Sequence, residues 1–125
     1  MAITLPIDIN KVKGFLDPIE GEALYSYAKK YTKQGDALEI GSYCGKSAVY
    51  IGSAVKENKQ KLYSIDHHKG SEEQQPGEEF FDPDLLNKEG NGIDTLPYFL
   101  NTINSSKLKK IVIPVISSSE EAYKD

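Results

Sequence analysis

Several things this sequence lacks narrow what it can be. It has a single cysteine, Cys44, which rules out an internal disulfide and suits a reducing compartment. No apolar run approaches the roughly 18 residues needed to cross a bilayer. Residues 1–6 lack the basic stretch and long apolar segment of a secretory signal. Positive charge is not in surplus: the net charge is −4, whereas a nucleic-acid or anionic-membrane surface calls for clustered Lys and Arg. Tryptophan is absent; 8 Tyr, 4 Phe and 38% hydrophobic content support one modest core, lean for a free-standing α/β sheet. At 125 residues the chain is one domain or less. The expectation is a soluble cytoplasmic protein without nucleic-acid or membrane partners.

What is present is organised around residues 36–47, D-A-L-E-I-G-S-Y-C-G-K-S. The run from Ala37 to Ile40 suits a buried strand, a tight turn follows from Gly41 to Gly45, and helical periodicity runs from Lys46 to about Glu57. A strand, a glycine turn and a helix together aim backbone N–H groups and a helix N-terminus at a ligand.

Upstream, residues 1–16 are weakly patterned and read as a surface lead-in. Asp17-Pro18-Ile19-Glu20 is a helix start, with Asp as cap and Pro at the first helical position. The helix should run to about Lys33, with Ala23, Leu24, Tyr27, Ala28 and Tyr31 on its packing face. Downstream, a second strand from Leu62 to Ile65 ends in Asp66 and completes a parallel βαβ unit. Residues 67–92 show neither period and carry seven acids against two lysines, so the chain's acidity sits there. Phe80, Phe81, Leu85 and Leu86 argue that this loop folds back on the body. A further helix is capped near Asp94 or Thr95 and keeps Pro97 in its first turn. A third strand spans residues 111–116, with Pro114 favouring an edge position. Ser119-Glu120-Glu121 reads as another helix start.

Three ligand classes use such a turn. A triphosphate loop needs G-x-x-x-x-G-K-S/T; Gly45-Lys46-Ser47 is present, but Ile40 stands where the first glycine belongs, so the loop is one residue short. A dinucleotide loop needs G-x-G-x-x-G; Tyr43 replaces the second glycine, and Glu39 would repel a diphosphate. S-adenosylmethionine carries an ammonium instead of phosphates, so Glu39 becomes an asset, directly or through water. Asp66, 25 residues after Gly41, is placed to accept from both ribose hydroxyls. Asp66 alone does not separate this cofactor from a nicotinamide ribose; Glu39 together with the missing glycine does.

The stretch A-L-E-I-G-S-Y-C-G-K-S-A-V-Y-I-G resembles the first motif of class I S-adenosylmethionine-dependent methyltransferases. Residues 14–25 (G-F-L-D-P-I-E-G-E-A-L-Y), 64–79 (S-I-D-H-H-K-G-S-E-E-Q-Q-P-G-E-E) and 94–100 (D-T-L-P-Y-F-L) are similar to the same branch. The resemblance implies a three-layer Rossmann-like α/β fold with parallel strands in order 3-2-1 and flanking helices. It implies S-adenosylmethionine as cofactor, with Glu39, Gly41, Ser42, Tyr43, Cys44, Gly45, Lys46 and Ser47 on the methionine side. Asp66 takes the ribose and His67 lies near the adenine. Ser118 falls where many members carry an Asp that reaches the adenine amino group.

The family's sheet continues with a fourth strand beside the first, and this sequence contains none. The expectation is therefore one partial methyltransferase domain over residues 1–125, a cofactor-binding fragment inactive by itself. Its open sheet edge invites pairing with another chain. The acceptor is unidentified, and the alternative is a non-catalytic Rossmann-like nucleotide-binding or interaction module.

Other candidates are weaker. His67 and His68 are adjacent and point to opposite sides in extended chain, so no metal site is expected. Cys44 reads as a small packing residue or backbone donor. Ser42 and Ser47 have no positioned His base that would make either a nucleophile.

Overall fold

A computed structural model describes residues 3–118. Three helices alternate with three strands: α1 (Pro18–Tyr31), β1 (Ala37–Ile40), α2 (Lys46–Glu57), β2 (Leu62–Ile65), α3 (Leu96–Ser105) and β3 (Val112–Val115). The strands form one parallel sheet with β2 in the middle; Ala37, Leu62 and Val112 share one row of the register, and Leu38, Tyr63 and Ile113 the next. The helix start expected downstream at Ser119 lies outside the described residues.

Alternation along the strands decides where the core sits. Ala37, Leu62 and Val112 point to one face and join Ala48 and Val55 of α2, Phe99 and Ile103 of α3, Leu108, and Ala28 of α1 in one apolar cluster. All three helices thus cover the same face. On the opposite face Leu38 and Ile40 are 62% and 66% exposed, and Tyr63 is also open to solvent. The expected three layers are two among the described residues. The cause is topological: successive right-handed crossovers stepping the same way along a sheet lay their helices on one side.

α1 begins as its sequence predicts, with the Asp17 carboxylate accepting from the Ile19 N–H at 2.9 Å and Pro18 behind it. It stops at Tyr31, two residues short of the expected end, where the Thr32 hydroxyl donates back to the Ala28 carbonyl at 2.6 Å. Its buried face is only partly the expected one: Leu24 is half-buried and Ala28 packs on the core, but the face is shifted. Gly21 and Tyr25 face inward, whereas Tyr27 and Tyr31 are exposed and stack on each other. Gly21 explains the rotation: a Cβ there would lie 2.3 Å from the Tyr50 ring, so the missing side chain lets α2 come close. The Tyr25 hydroxyl then donates to Glu57 at 2.7 Å.

The flanking segments are more ordered than their composition suggests. Residues 67–92 hold two short 3-10 turns, Glu72–Gln74 and Pro83–Leu85, and a bridge from Leu86 to Ile93. Leu85 and Ile93 are buried with Val12 and Cys44 in a second cluster, so the lead-in contributes core as well as surface. Lys13 ties the two segments together, reaching Asp82 at 2.6 Å and Asp84 at 3.0 Å.

Candidate functional site

The turn after β1 passes through left-handed backbone three times, at Gly41 (φ 90°), Tyr43 (φ 49°) and Gly45 (φ 93°). Such conformations cost little at glycine and more at tyrosine, so something must hold Tyr43. Asp66, at the end of β2, does. One carboxylate oxygen accepts from the Ser42 and Tyr43 N–H groups, both at 2.9 Å, and the other accepts from His68 N–H at 3.0 Å. Burial would raise the pKa of Asp66, but the N–H groups of His68, Tyr43 and Ser42 outweigh it and hold the carboxyl below its usual value. Three of the roughly four lone-pair positions of a carboxylate are thereby used. One remains, on Oδ1, open to a further donor.

Glu39 is half-buried. Its carboxylate accepts from the Ser64 hydroxyl at 2.5 Å and from the Ser47 hydroxyl at 2.8 Å, while the Ser42 and Ser64 hydroxyls bond each other. Burial raises its pKa against those two hydrogen bonds, and the charge of Asp66 adds to the rise. Glu39 lines neither of the clefts described next, and Ser47 stands between it and the nearer one.

Two clefts meet at the turn. The first, about 330 Å3, lies over Ser42, Lys46 and Ser47, with Gly14, Phe15 and Leu16 as its other wall. The second, about 260 Å3, contains Asp66, His67 and Thr95. Both include Gly41, Tyr43 and Gln74. Nothing lies within 4 Å of where a Cβ on Gly41 would stand, so that space is open to a ligand. Where α2 begins, no side chain caps it. Its first N–H groups, with the Lys46 side chain, therefore leave a positive end facing the first cleft. A larger cavity of about 640 Å3 shares His67 and Gly70 with the second cleft and extends between Asn87 and the start of α3.

The expected site residues thus divide. Gly41, Ser42, Tyr43, Lys46, Ser47, Asp66 and His67 line the clefts. Glu39, Cys44, Gly45 and Ser118 do not. The Cys44 side chain is buried in the second apolar cluster, and burial pushes its thiol up to about 12. Gly45 donates its N–H to the Ser42 carbonyl at 3.0 Å, and a Cβ on it would meet Phe99 at 3.3 Å and Thr102 at 3.2 Å; it lets the turn sit on α3.

The expected extended chain is not found: His68 takes left-handed backbone at φ 64°, and His67 and His68 both line the larger cavity. His67 is half exposed at the second cleft. His68 is buried against Phe99, its Nδ1 hydrogen-bonded to the Thr95 hydroxyl at 2.7 Å and its Nε2 without a partner among the described residues; burial lowers its pKa. Gln74, Thr95 and residues 14–16 were missed as site residues. Their only signal was membership in the flanking stretches G-F-L-D-P, E-E-Q-Q-P-G and D-T-L-P.

A parallel βαβ sheet, with a glycine turn at one strand end and an acid at the end of the next strand, is the arrangement of a truncated Rossmann-like α/β protein, whose clefts lie at the strand ends. A family model described as a methyltransferase domain matches residues 38–125, which is most of the chain. The chain belongs to that family, within the class I S-adenosylmethionine-dependent methyltransferases.

Proposed function

We propose that the chain binds S-adenosylmethionine astride the Gly41–Tyr43 turn and serves methyl transfer to an acceptor. The observation that carries this reading is the pair of clefts meeting at Gly41 and Tyr43, one ending at an uncapped helix N-terminus and the other at Asp66. The methionine carboxylate suits the start of α2, where the N–H groups and Lys46 supply positive potential. The ribose suits the open lone pair of Asp66, and the adenine suits His67. Glu39 acts on the ammonium through the Ser47 hydroxyl or a water, since that hydroxyl covers its carboxylate. A diphosphate fits less well, because the Glu39 carboxylate is bonded to Ser47, which lines the cleft.

When bound, this cofactor supplies an electrophilic methyl group on a positively charged sulfur. The leaving group is already activated, so the protein's work is alignment, and orientation of this kind can contribute about 7–11 kcal/mol. The turn is built for that. Asp66 holds its Ser42 and Tyr43 N–H groups, Gly41 N–H donates to the Ile65 carbonyl, and Gly45 packs on α3.

Calorimetry of the chain with S-adenosylhomocysteine, NAD and ATP tests the proposal. Binding of S-adenosylhomocysteine is expected, with NAD and ATP at least tenfold weaker. Binding of ATP or NAD alone would overturn it in favour of a nucleotide-binding module.

A further inference from the structure

Beside the methionine-side cleft lies a third cavity, of about 370 Å3. It shares Gly14, Phe15 and Tyr43 with that cleft, and its far wall is Phe80, Phe81 and Pro83 from the acidic loop. Phe15 meets the Phe80 ring edge-on with centroids 5.5 Å apart, and its own centroid lies 6.2 Å from that of Tyr43. Phe15 is 72% exposed and Phe80 46%. Neither ring is there to fill the core. Exposed aromatic side chains gathered at one place mark a binding surface, whereas scattered ones need no explanation.

The charges around this cavity point to the kind of ligand. Lys13 is the cation present, and it is bonded to Asp82 and Asp84, which leaves its charge more than neutralised. Glu79 also lines the cavity and has no hydrogen bond or ion pair among the described residues. Two carboxylates, Asp82 and Glu79, therefore line the cavity against one ammonium, which Asp84 outside the lining also shares. The faces of aromatic rings are themselves electron-rich and attract cations. Walls and rim agree: they favour a flat, positively charged molecule and disfavour a carboxylate.

Resting on the cofactor reading above, we propose that this cavity is the methyl-acceptor subsite and that it takes hydroxylated aromatic amines. The ring packs among Phe15, Tyr43 and Phe80, and the ammonium faces Glu79. Methylation at the ring hydroxyl exchanges its proton for the methyl group; the proton leaves to water, and the electron pair of the broken methyl–sulfur bond stays on sulfur. Lys13 is the positioning residue, because it fixes the loop bearing Phe80 to the segment bearing Phe15.

Titration calorimetry on the full chain, with and without saturating S-adenosylhomocysteine, tests this with three probes. Tyramine has the ring and the cation, 4-hydroxyphenylacetate has the ring with a carboxylate, and propylamine has the cation without a ring. Tyramine is expected to bind, with both other probes at least tenfold weaker. Phe80→Ala and Phe15→Ala should each weaken tyramine about threefold to fivefold, the range for a solvent-exposed cation–π contact. Glu79→Gln, a surface change that keeps the side chain's shape, should weaken it about threefold while 4-hydroxyphenylacetate gains.

Equal binding of the carboxylate probe, or tyramine binding indifferent to both Phe80→Ala and Glu79→Gln, would overturn the proposal. Binding of S-adenosylhomocysteine without tyramine would overturn it and leave the cofactor reading standing. Tyramine binding with the expected ring and charge dependence but no S-adenosylhomocysteine binding would remove the acceptor role and the cofactor reading together.

Discussion

The ends of β1 and β2 each carry a carboxylate, and the two are handled in opposite ways. Glu39 is half-buried, met by the hydroxyls of Ser47 and Ser64, and burial raises its pKa. Asp66 is at the mouth of a cleft, met by three backbone N–H groups, and its pKa is lowered despite burial. The difference lies in the donors. Backbone N–H groups are fixed by the chain and cannot turn away, whereas hydroxyls rotate and can accept as well as donate. An acid held by three N–H groups is committed to being an anion; one held by hydroxyls tolerates a proton. Only the first can organise a loop.

The sharpest way to break this contrast is Asp66→Ala. It leaves the Ser42, Tyr43 and His68 N–H groups without their acceptor, and each such bond to a charged group is worth about 1.5–3 kcal/mol. The expected result is at least tenfold weaker S-adenosylhomocysteine binding, read by calorimetry, and a loss of at least about 2 kcal/mol in denaturant unfolding. Unchanged affinity would remove the ribose role and the turn-holding role together.

Stability against pH should separate the two acids next. Asp66 has a folded pKa below its ordinary 3.8, so the unfolded chain binds its proton first. Its contribution is present above that value and is lost as pH falls through the folded pKa. Glu39 has a folded pKa above 4.5, so its contribution is present below 4.5 and lost as pH rises through the folded value. His68, lowered from 6.5 by burial, weakens the fold as pH falls below 6.5. Unfolding curves of wild type and Glu39→Gln should therefore diverge above pH 4.5, with the variant flatter; parallel curves would show that Glu39 is not buried as described.

Glu39→Gln at neutral pH is the milder form of the same test. Replacing a half-buried charge by a neutral isostere that still meets both hydroxyls should be neutral or stabilising by about 1 kcal/mol. A large loss would mean that the anion itself supports the turn. Smallest is the expected response of Cys44, between the two strand ends and behind the turn. With a buried thiol raised to about 12, it should react with a disulfide reagent only at the rate of unfolding. Rapid native-state labelling would show that the turn opens.

Much of the fold was legible because its elements carry their own periods. β1, α2 and β2 fall on the expected residues, and α3 is capped at Thr95, one of the two positions anticipated. The packing face of α1 was only partly legible. Tyr27 and Tyr31 share a helical stripe with Ala28, but the helix turns by the fit of Gly21 to Tyr50, a residue 29 positions away that periodicity does not sense. The number of layers was misjudged for a similar reason. Leu38 and Ile40 read as buried because parallel strands are usually covered twice, whereas the two crossovers place α2 and α3 on the other face and α1 packs against α2 there.

The candidate site divides along the same line. Gly41, Ser42, Tyr43, Lys46 and Ser47 belong to one continuous turn, and their spacing alone set them beside a ligand. That spacing could not say that Cys44 packs against Val12, Leu85 and Ile93 or that Gly45 rests on Phe99 and Thr102, because those neighbours come from distant parts of the chain. Nor could it supply the second wall. Phe15, Gln74 and Phe80 arrive from segments without a period, brought together by Leu85 and Val12 in a shared apolar cluster and by Lys13 between two aspartates. Local sequence determined the strand, the turn and the helix, because backbone geometry and hydrophobic spacing are local quantities. Which carboxylate holds the turn, which is met by hydroxyls and what closes the cleft were decided only by tertiary structure, because burial and hydrogen-bond partnership depend on residues far apart in the chain.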